Sequence, residues 1–217
     1  MSPVKDAEGR IVGASKIARD ISEQKRNQEH IRVLAREAEH RSKNVLANVA
    51  AIVNLSRSDT PEGQKEAING RIRALSNVHS LFVETRWSGA ELSAIARQEL
   101  APYLGEDHGR VRIQGCEVLL EPGAAQALAV VLHELATNAT KYGALADAAG
   151  AIELTWSREE TGKLLLRWTE TGGPRVQKPE RQGFGSRLIE RTIGQLNGTA
   201  RFHWRPEGLV CEIALPA

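Results

Sequence analysis

The chain has 217 residues, enough for one domain or two small ones. Hydrophobic residues make up 41% and aromatics 4%, so a sizeable core must come mainly from Leu, Ile, Val and Ala. With 29 basic and 27 acidic residues and a formal charge of +2, the chain carries no strong field for nucleic acid.

No apolar run reaches the roughly 18 residues a membrane helix needs, and the first residues do not read as a signal peptide. A cytoplasmic protein is expected. Cys116 and Cys211 lie in apolar, strand-like contexts. They read as buried thiols of a reducing compartment, and could pair only if the fold brings them together.

In chain order, residues 4–20 give a turn at Asp6-Ala7-Glu8-Gly9 and then a strand. One strand cannot fold alone, so residues 1–20 read as the tail of a preceding domain. From Ile21 to Arg57 the sequence is charged and free of Gly and Pro, with Ile31, Leu34, Ala35, Ala38, Val45, Val49, Ile52 and Val53 on one helical stripe. Thr60 and Pro61 then cap a second helix, whose apolar face holds Ile68, Ile72, Leu75, Val78 and Phe82. The pair predicts an antiparallel two-helix hairpin over 21–87, covered by a second copy or by the rest of the chain.

A second domain is expected over 88–217. It should contain helices at 91–103, 122–142 and 185–196, and strands at 110–120 (two short ones), 151–157, 163–170, 199–205 and 209–215. A Gly- and Pro-rich loop covers 171–184. Helices mixed with hairpin-linked strands predict an α+β two-layer sandwich.

Four stretches carry candidate chemistry. On the first helix, His40 falls about 180° from the apolar stripe at about 100° per residue, with Arg36, Lys43 and Asn44 near it. It reads either as a plain surface histidine or as one that meets something anionic. It lacks a second ligand at metal-binding spacing.

In "HELATNATKYGAL", Leu128, Leu132, Leu135 and Ala139 form the buried stripe, while Glu134, Asn138 and Lys141 share another face. Asn suits Mg²⁺ bridged to phosphates, Lys suits a phosphate, and Glu can take a proton or hold a metal-bound water. His133 lies at the edge of that face.

In "LLLRWTETGGP", strand alternation puts Leu164, Leu166, Trp168 and Glu170 on the core side, and Gly172 and Gly173 let backbone approach a ligand. Glu170 either finds a hydrogen-bonding partner such as a ligand amino group or bends out to solvent. In "RQGFGSRLIERTI", Gly183, Phe184 and Gly185 lead into a helix whose free N–H groups suit phosphate, although the Gly-Lys-Ser/Thr of a Walker motif is missing.

In this order the motifs resemble those of the sensor histidine kinases, and among them the HWE family. "EHRSKN" is similar to the phospho-acceptor box with His40 as acceptor. "HELATNATKYGAL" is similar to the N box with the family's His at His133. "WTETGGP" is similar to the first glycine box with its Trp-x-Glu at Trp168 and Glu170, and "GFGSRLIE" to the second. "GRIVGASKIARDISEQKR" is similar to the last strand of a PAS domain and its exit helix.

The resemblance implies a phosphotransfer and dimerisation hairpin (21–87) and a Bergerat-fold ATP-binding domain of the GHKL type (88–217). It implies Mg²⁺ at Asn138, phosphates at Lys141, and Glu134 polarising the acceptor or a water. Glu170 would read the adenine amino group, and Tyr142 would line the nucleotide site beside His133 and Trp168. Gly172, Gly173, Gly183, Phe184 and Gly185 would shape the lid. The implied cofactors are ATP and Mg²⁺. The implied partners are a response-regulator receiver domain, an upstream PAS-like sensor domain and a second copy through the hairpin. Where most histidine kinases have an acidic residue after the acceptor, this sequence has Arg41, leaving Glu39 and Glu134 as candidate proton acceptors.

Overall fold

The computed structural model describes residues 2–15, 20–56, 60–85, 88–104, 109–176 and 183–216. The domain boundary expected at Trp87 and most of the expected lid loop (177–182) lie outside the described residues, as do the side chains of His40, Arg41 and Asn44. By contact the chain divides between Val49 and Ala50 into two units.

The first unit begins with a hairpin of β1 (Ser2–Lys5) and β2 (Ile11–Ser15), paired antiparallel from Ser2 opposite Ser15. The Asp6 carboxylate closes its turn by accepting the Arg10 N–H at 2.8 Å. Only β2 was expected. The segment "SPVK" of β1 has one apolar side chain and so no period-2 signal. Helix α1 (Ser22–Leu55) follows, close to its expected limits. Its apolar stripe is largely open to water: Ile31 is 66% and Leu46 68% exposed, and Leu34 is exposed as well.

The second unit takes in the last turn of α1. Helix α2 (Pro61–Glu84) starts as expected, with Thr60 Oγ1 accepting the Gly63 N–H at 3.1 Å and Pro61 at the first helical position. On its inner face Leu75, Val78 and Phe82 are buried, with Val78 and Phe82 in the same core as Leu128 and Leu132. By contact α2 therefore goes with the residues that follow it, whereas the sequence reading drew a boundary at 87/88.

Next come β3 (Ala90–Glu91), α3 (Leu92–Leu100), β4 (Val111–Gly115), β5 (Leu119–Leu120) and α4 (Pro122–Lys141). They are followed by β6 (Ala151–Arg158), β7 (Leu164–Thr171), α5 (Phe184–Gly194), β8 (Thr199–Arg205) and β9 (Gly208–Leu215). The main sheet has the order β4-β6-β7-β9-β8, with β4 parallel to β6 and the other pairs antiparallel. The two short strands expected within 110–120 part company: β4 joins this sheet and β5 pairs with β3.

Helix α4 contacts α2, α3 and α5 and forms the spine of the helical layer. The α+β two-layer architecture is as expected. In β7, Leu164, Leu166, Trp168 and Glu170 are all buried, as alternation requires. Of the two free cysteines, Cys211 is buried in β9, and burial pushes its thiol up to about 12. Cys116, expected inside, is exposed, because β4 has already ended at Gly115. Among the described residues no helix is long and apolar enough to cross a membrane.

Phe82 is fully buried where α2 meets the core. Phe82→Ala should therefore lower unfolding stability by about 3–5 kcal/mol in urea titrations. A loss under about 1 kcal/mol would contradict the packing of α2.

Candidate active site

Helix α4 forms because a long run of Ala, Leu and Val follows Pro122 at its first turn. Its stripe of Leu128, Leu132, Leu135 and Ala139 is buried, as periodicity requires. Its polar residues point three ways.

Glu134 is buried and faces α2. Arg71 Nε donates to its Oε1 at 2.8 Å and Arg71 Nη2 to its Oε2 at 2.7 Å. Arg71 Nη1 donates to Ser56 Oγ, and Ser56 Oγ donates in turn to the Ile52 carbonyl at 2.6 Å. A carboxylate held in a two-pronged guanidinium fork is not a free base. The expectation that Glu134 polarises the acceptor or a water does not fit this conformation. The other candidate proton acceptor, Glu39, pairs with Lys43 at 2.7 Å on the surface.

His133 turns toward α2 and α3. Its Nδ1 lies 3.2 Å from Glu99 Oε2, and a Cβ at Gly70 would come within 2.5 Å of its Nε2. The ring is thus a wedge between three helices. Periodicity put it only at the edge of the Glu134 face, and the resemblance grouped it with the nucleotide ligands.

Asn138 is half-buried one turn beyond Glu134. The N-terminus of α5 sits against both: a Cβ at Gly185 would lie 3.0 Å from Asn138 Nδ2 and 3.1 Å from Glu134 Oε2. Gly183 is the N-cap of α5 and offers no side-chain cap, and among the described residues no side chain takes the first-turn N–H groups, which suit an anion beside the Asn138 amide. Lys141 and Tyr142 end α4, both exposed, Tyr142 at 75%. Phe184 is exposed and carries the Arg187 guanidinium 4.6 Å above its ring.

The other end of the site is the last turn of β7. Glu170 is 3% exposed, and among the described residues no cation pairs with it. Its Oε1 accepts the Trp168 indole N–H at 3.0 Å, and its Oε2 accepts the Ala144 N–H at 2.9 Å. The Trp-x-Glu motif is therefore one hydrogen bond along a strand face, made possible because i and i+2 point the same way. The alternative in which Glu170 bends out to solvent is excluded.

Burial raises the Glu170 carboxyl above the usual carboxylate range, while the two N–H donors pull it partly back. Gly143 makes the approach possible, since any side chain there would run into Glu170 Oε2. Gly172 adopts φ +69° and backs onto the Ala149 carbonyl, and Gly173 packs on Ala144. The glycines of "TGG" thus seat the β7 end on the loop after α4.

Arg71, Ser56, Gly70 and Glu99 escaped the sequence reading. They are distant in sequence and match no motif. Gly143 and Ala144 had a signal, since a Gly just past a helix marks its stop.

Residues 37–117 match the family model described as HWE histidine kinase. The blue-light-activated histidine kinase of Brucella anthropi is 35% identical over 203 residues, covering 91% of this chain and 41% of that protein. That of Brucella abortus is 34% identical over 206 residues, covering 92% and 42%. The chain thus spans less than half the length of these relatives.

Among solved structures, a blue-light activated histidine kinase of Erythrobacter litoralis aligns with a TM-score of 0.64 at 22% identity, over 95% of this chain and 63% of that one. A histidine kinase domain from the same organism aligns at 0.58 and 17% identity, over 80% and 95%. These two likenesses establish the fold. By sequence, the chain is similar to histidine kinases over 91% of its length, and its residues 37–117 match the HWE family model.

Trp168→Phe keeps a ring in the core and removes the Oε1 donor. Glu170 already has a raised carboxyl, so its contribution to stability is full below the ordinary carboxylate range and is lost as pH rises through the folded value. Losing a donor raises that value further. The variant should lose about 1–3 kcal/mol, with a larger deficit at pH 7.5 than at pH 5 in urea unfolding. An equal deficit at both pH values would mean that only packing was lost.

Proposed function

We propose that this chain is the core of a sensor histidine kinase. It moves the γ-phosphoryl group of ATP onto His40 and then to an aspartate of a response-regulator receiver domain. In this reading residues 21–87 are the phosphotransfer hairpin and 88–217 the ATP-binding domain. A PAS-like sensor domain acts upstream through α1, and a second copy covers the exposed stripe of Ile31, Leu34 and Leu46. The observation that carries the reading is the Asn138 amide set against the N-terminus of α5, whose N-cap Gly183 has no side chain, in a histidine kinase fold.

The base end of the nucleotide is assigned to Trp168 and Glu170. Glu170 already accepts two N–H groups, and its remaining lone pairs suit an adenine amino group. Phosphates are assigned to the N–H groups of Phe184 and Gly185, with Lys141 as an exposed point charge and Tyr142 and Phe184 at the rim.

Among the described residues no three His, Cys, Asp or Glu gather to hold a metal. One neutral Asn oxygen fits Mg²⁺, which takes most of its ligands from phosphates and water. When bound, Mg²⁺ neutralises charge on the phosphate oxygens.

In the transfer, a neutral ring nitrogen of His40 forms a bond to the γ-phosphorus. The bond to the β–γ bridging oxygen breaks, ADP leaves with that electron pair, and the ring loses a proton. Glu39, in an exposed and weak ion pair, is more readily freed for that proton than Glu134 in its buried fork.

Incubation with labelled ATP should give acid-labile label on the chain, absent in His40→Ala. Acid-stable label or free phosphate would favour a different nucleotide enzyme on the same fold. Asn138→Ala should reduce Mg-ATP affinity at least tenfold by calorimetry with its melting temperature kept. Unchanged affinity would remove Asn138 from the site.

A further inference from the structure

We propose that Arg71 sets the strength of nucleotide binding electrostatically, by neutralising a carboxylate, Glu134, that lines the phosphate cradle between Asn138 and the N-terminus of α5. This rests on the nucleotide assignment above. It adds a positioning residue from α2, outside the expected ATP-binding domain, to the nucleotide machinery.

Glu134 lies on the cradle. Its Oε2 would be 3.1 Å from a Cβ at Gly185, about as close as the Asn138 amide is to the same position at 3.0 Å. A bare carboxylate there would repel a triphosphate through a medium from which water is largely excluded. It would also compete with the phosphates for the α5 N–H groups.

The fork from Arg71 prevents both. It binds both carboxylate oxygens, and the two side chains are only 4% and 8% exposed, so solvent does little to screen the pair. The third prong, on Ser56 Oγ, fixes the guanidinium from the C-terminal end of α1. Lys offers a point charge instead of a fork and cannot reach both carboxylate oxygens and Ser56 together. The charge on Arg71 thus acts on the nucleotide through Glu134.

Calorimetry with Mg-ATP, Mg-ADP and AMP on the full chain tests this with four proteins: wild type, Arg71→Met, Glu134→Gln and the double variant Arg71→Met/Glu134→Gln. Arg71→Met should weaken Mg-ATP at least tenfold, Mg-ADP less and AMP hardly at all. Glu134→Gln should bind Mg-ATP at least as tightly as wild type, because the cradle then carries an uncompensated positive charge. The double variant should return to within about threefold of wild type.

A purely structural role would weaken all three nucleotides alike. Arg71→Met leaves a buried carboxylate unpaired, so its folding is checked by circular dichroism. If it is unfolded, Glu134→Gln and the double variant decide the matter. The proposal is overturned if Glu134→Gln weakens Mg-ATP, which would make Glu134 itself a ligand, or if the double variant binds more than threefold more weakly than wild type. A wild-type chain that binds no Mg-ATP overturns the nucleotide assignment and this proposal together. Binding by wild type with the wrong pattern in the variants overturns this proposal alone.

Discussion

A carboxylate shut away from water must find partners, and among the described residues Glu170 finds two N–H donors and no cation. One is the indole of Trp168 on its own strand. The other is the backbone of Ala144, just past the end of α4. The second bond forces the loop after α4 onto the end of β7, which only Gly143 permits and which Gly172 and Gly173 follow with close packing of their own. The site is built outward from this junction. It fixes the C-terminal end of α4, and therefore where Asn138 sits relative to α5.

Helix α4 resolves a conflict that its sequence sets up. It is wrapped by three other helices, yet it carries His133, Glu134 and Asn138 within two turns. Each polar group is matched from a different side: His133 by Glu99 and the missing side chain of Gly70, Glu134 by Arg71, and Asn138 by the N-terminus of α5. Removing one partner of this buried ion pair would strand a charge at a cost of about 3–5 kcal/mol, so Arg71 and Glu134 each require the other where α2 meets α4. The last turn of α1 joins the same network through Ser56.

Much of this was legible in the sequence where periodicity alone decides. Period 2 placed Trp168 and Glu170 on the core face of one strand, and period 3.6 put Glu134 and Asn138 together on one face of α4. Thr60 and Pro61 marked the start of α2. Contacts that depend on a partner distant in the chain left no signal in the sequence. The fork on Glu134 comes from Arg71, 63 residues earlier. Gly70, which makes room for His133, has no side chain to signal that contact.

A local limit appears in β4 and β5. The sequence shows two short strands but not their partners: only three residues separate them, yet Cys116–Val118 carry the chain from one sheet to another. The exposed stripe of α1 is a different case. Its pattern was read correctly, but a pattern does not name what covers it.

The central claim is that one nucleotide spans the distance from Glu170 to the start of α5 along a single face of α4. A crystal structure of the chain with a non-hydrolysable Mg-ATP analogue tests this most directly. The account predicts the base against Trp168 and Glu170, the phosphates on the N–H groups of Phe184 and Gly185, and the metal on the Asn138 side-chain oxygen. Density for the analogue anywhere else, or phosphates more than a hydrogen bond away from both Asn138 and α5, would contradict it.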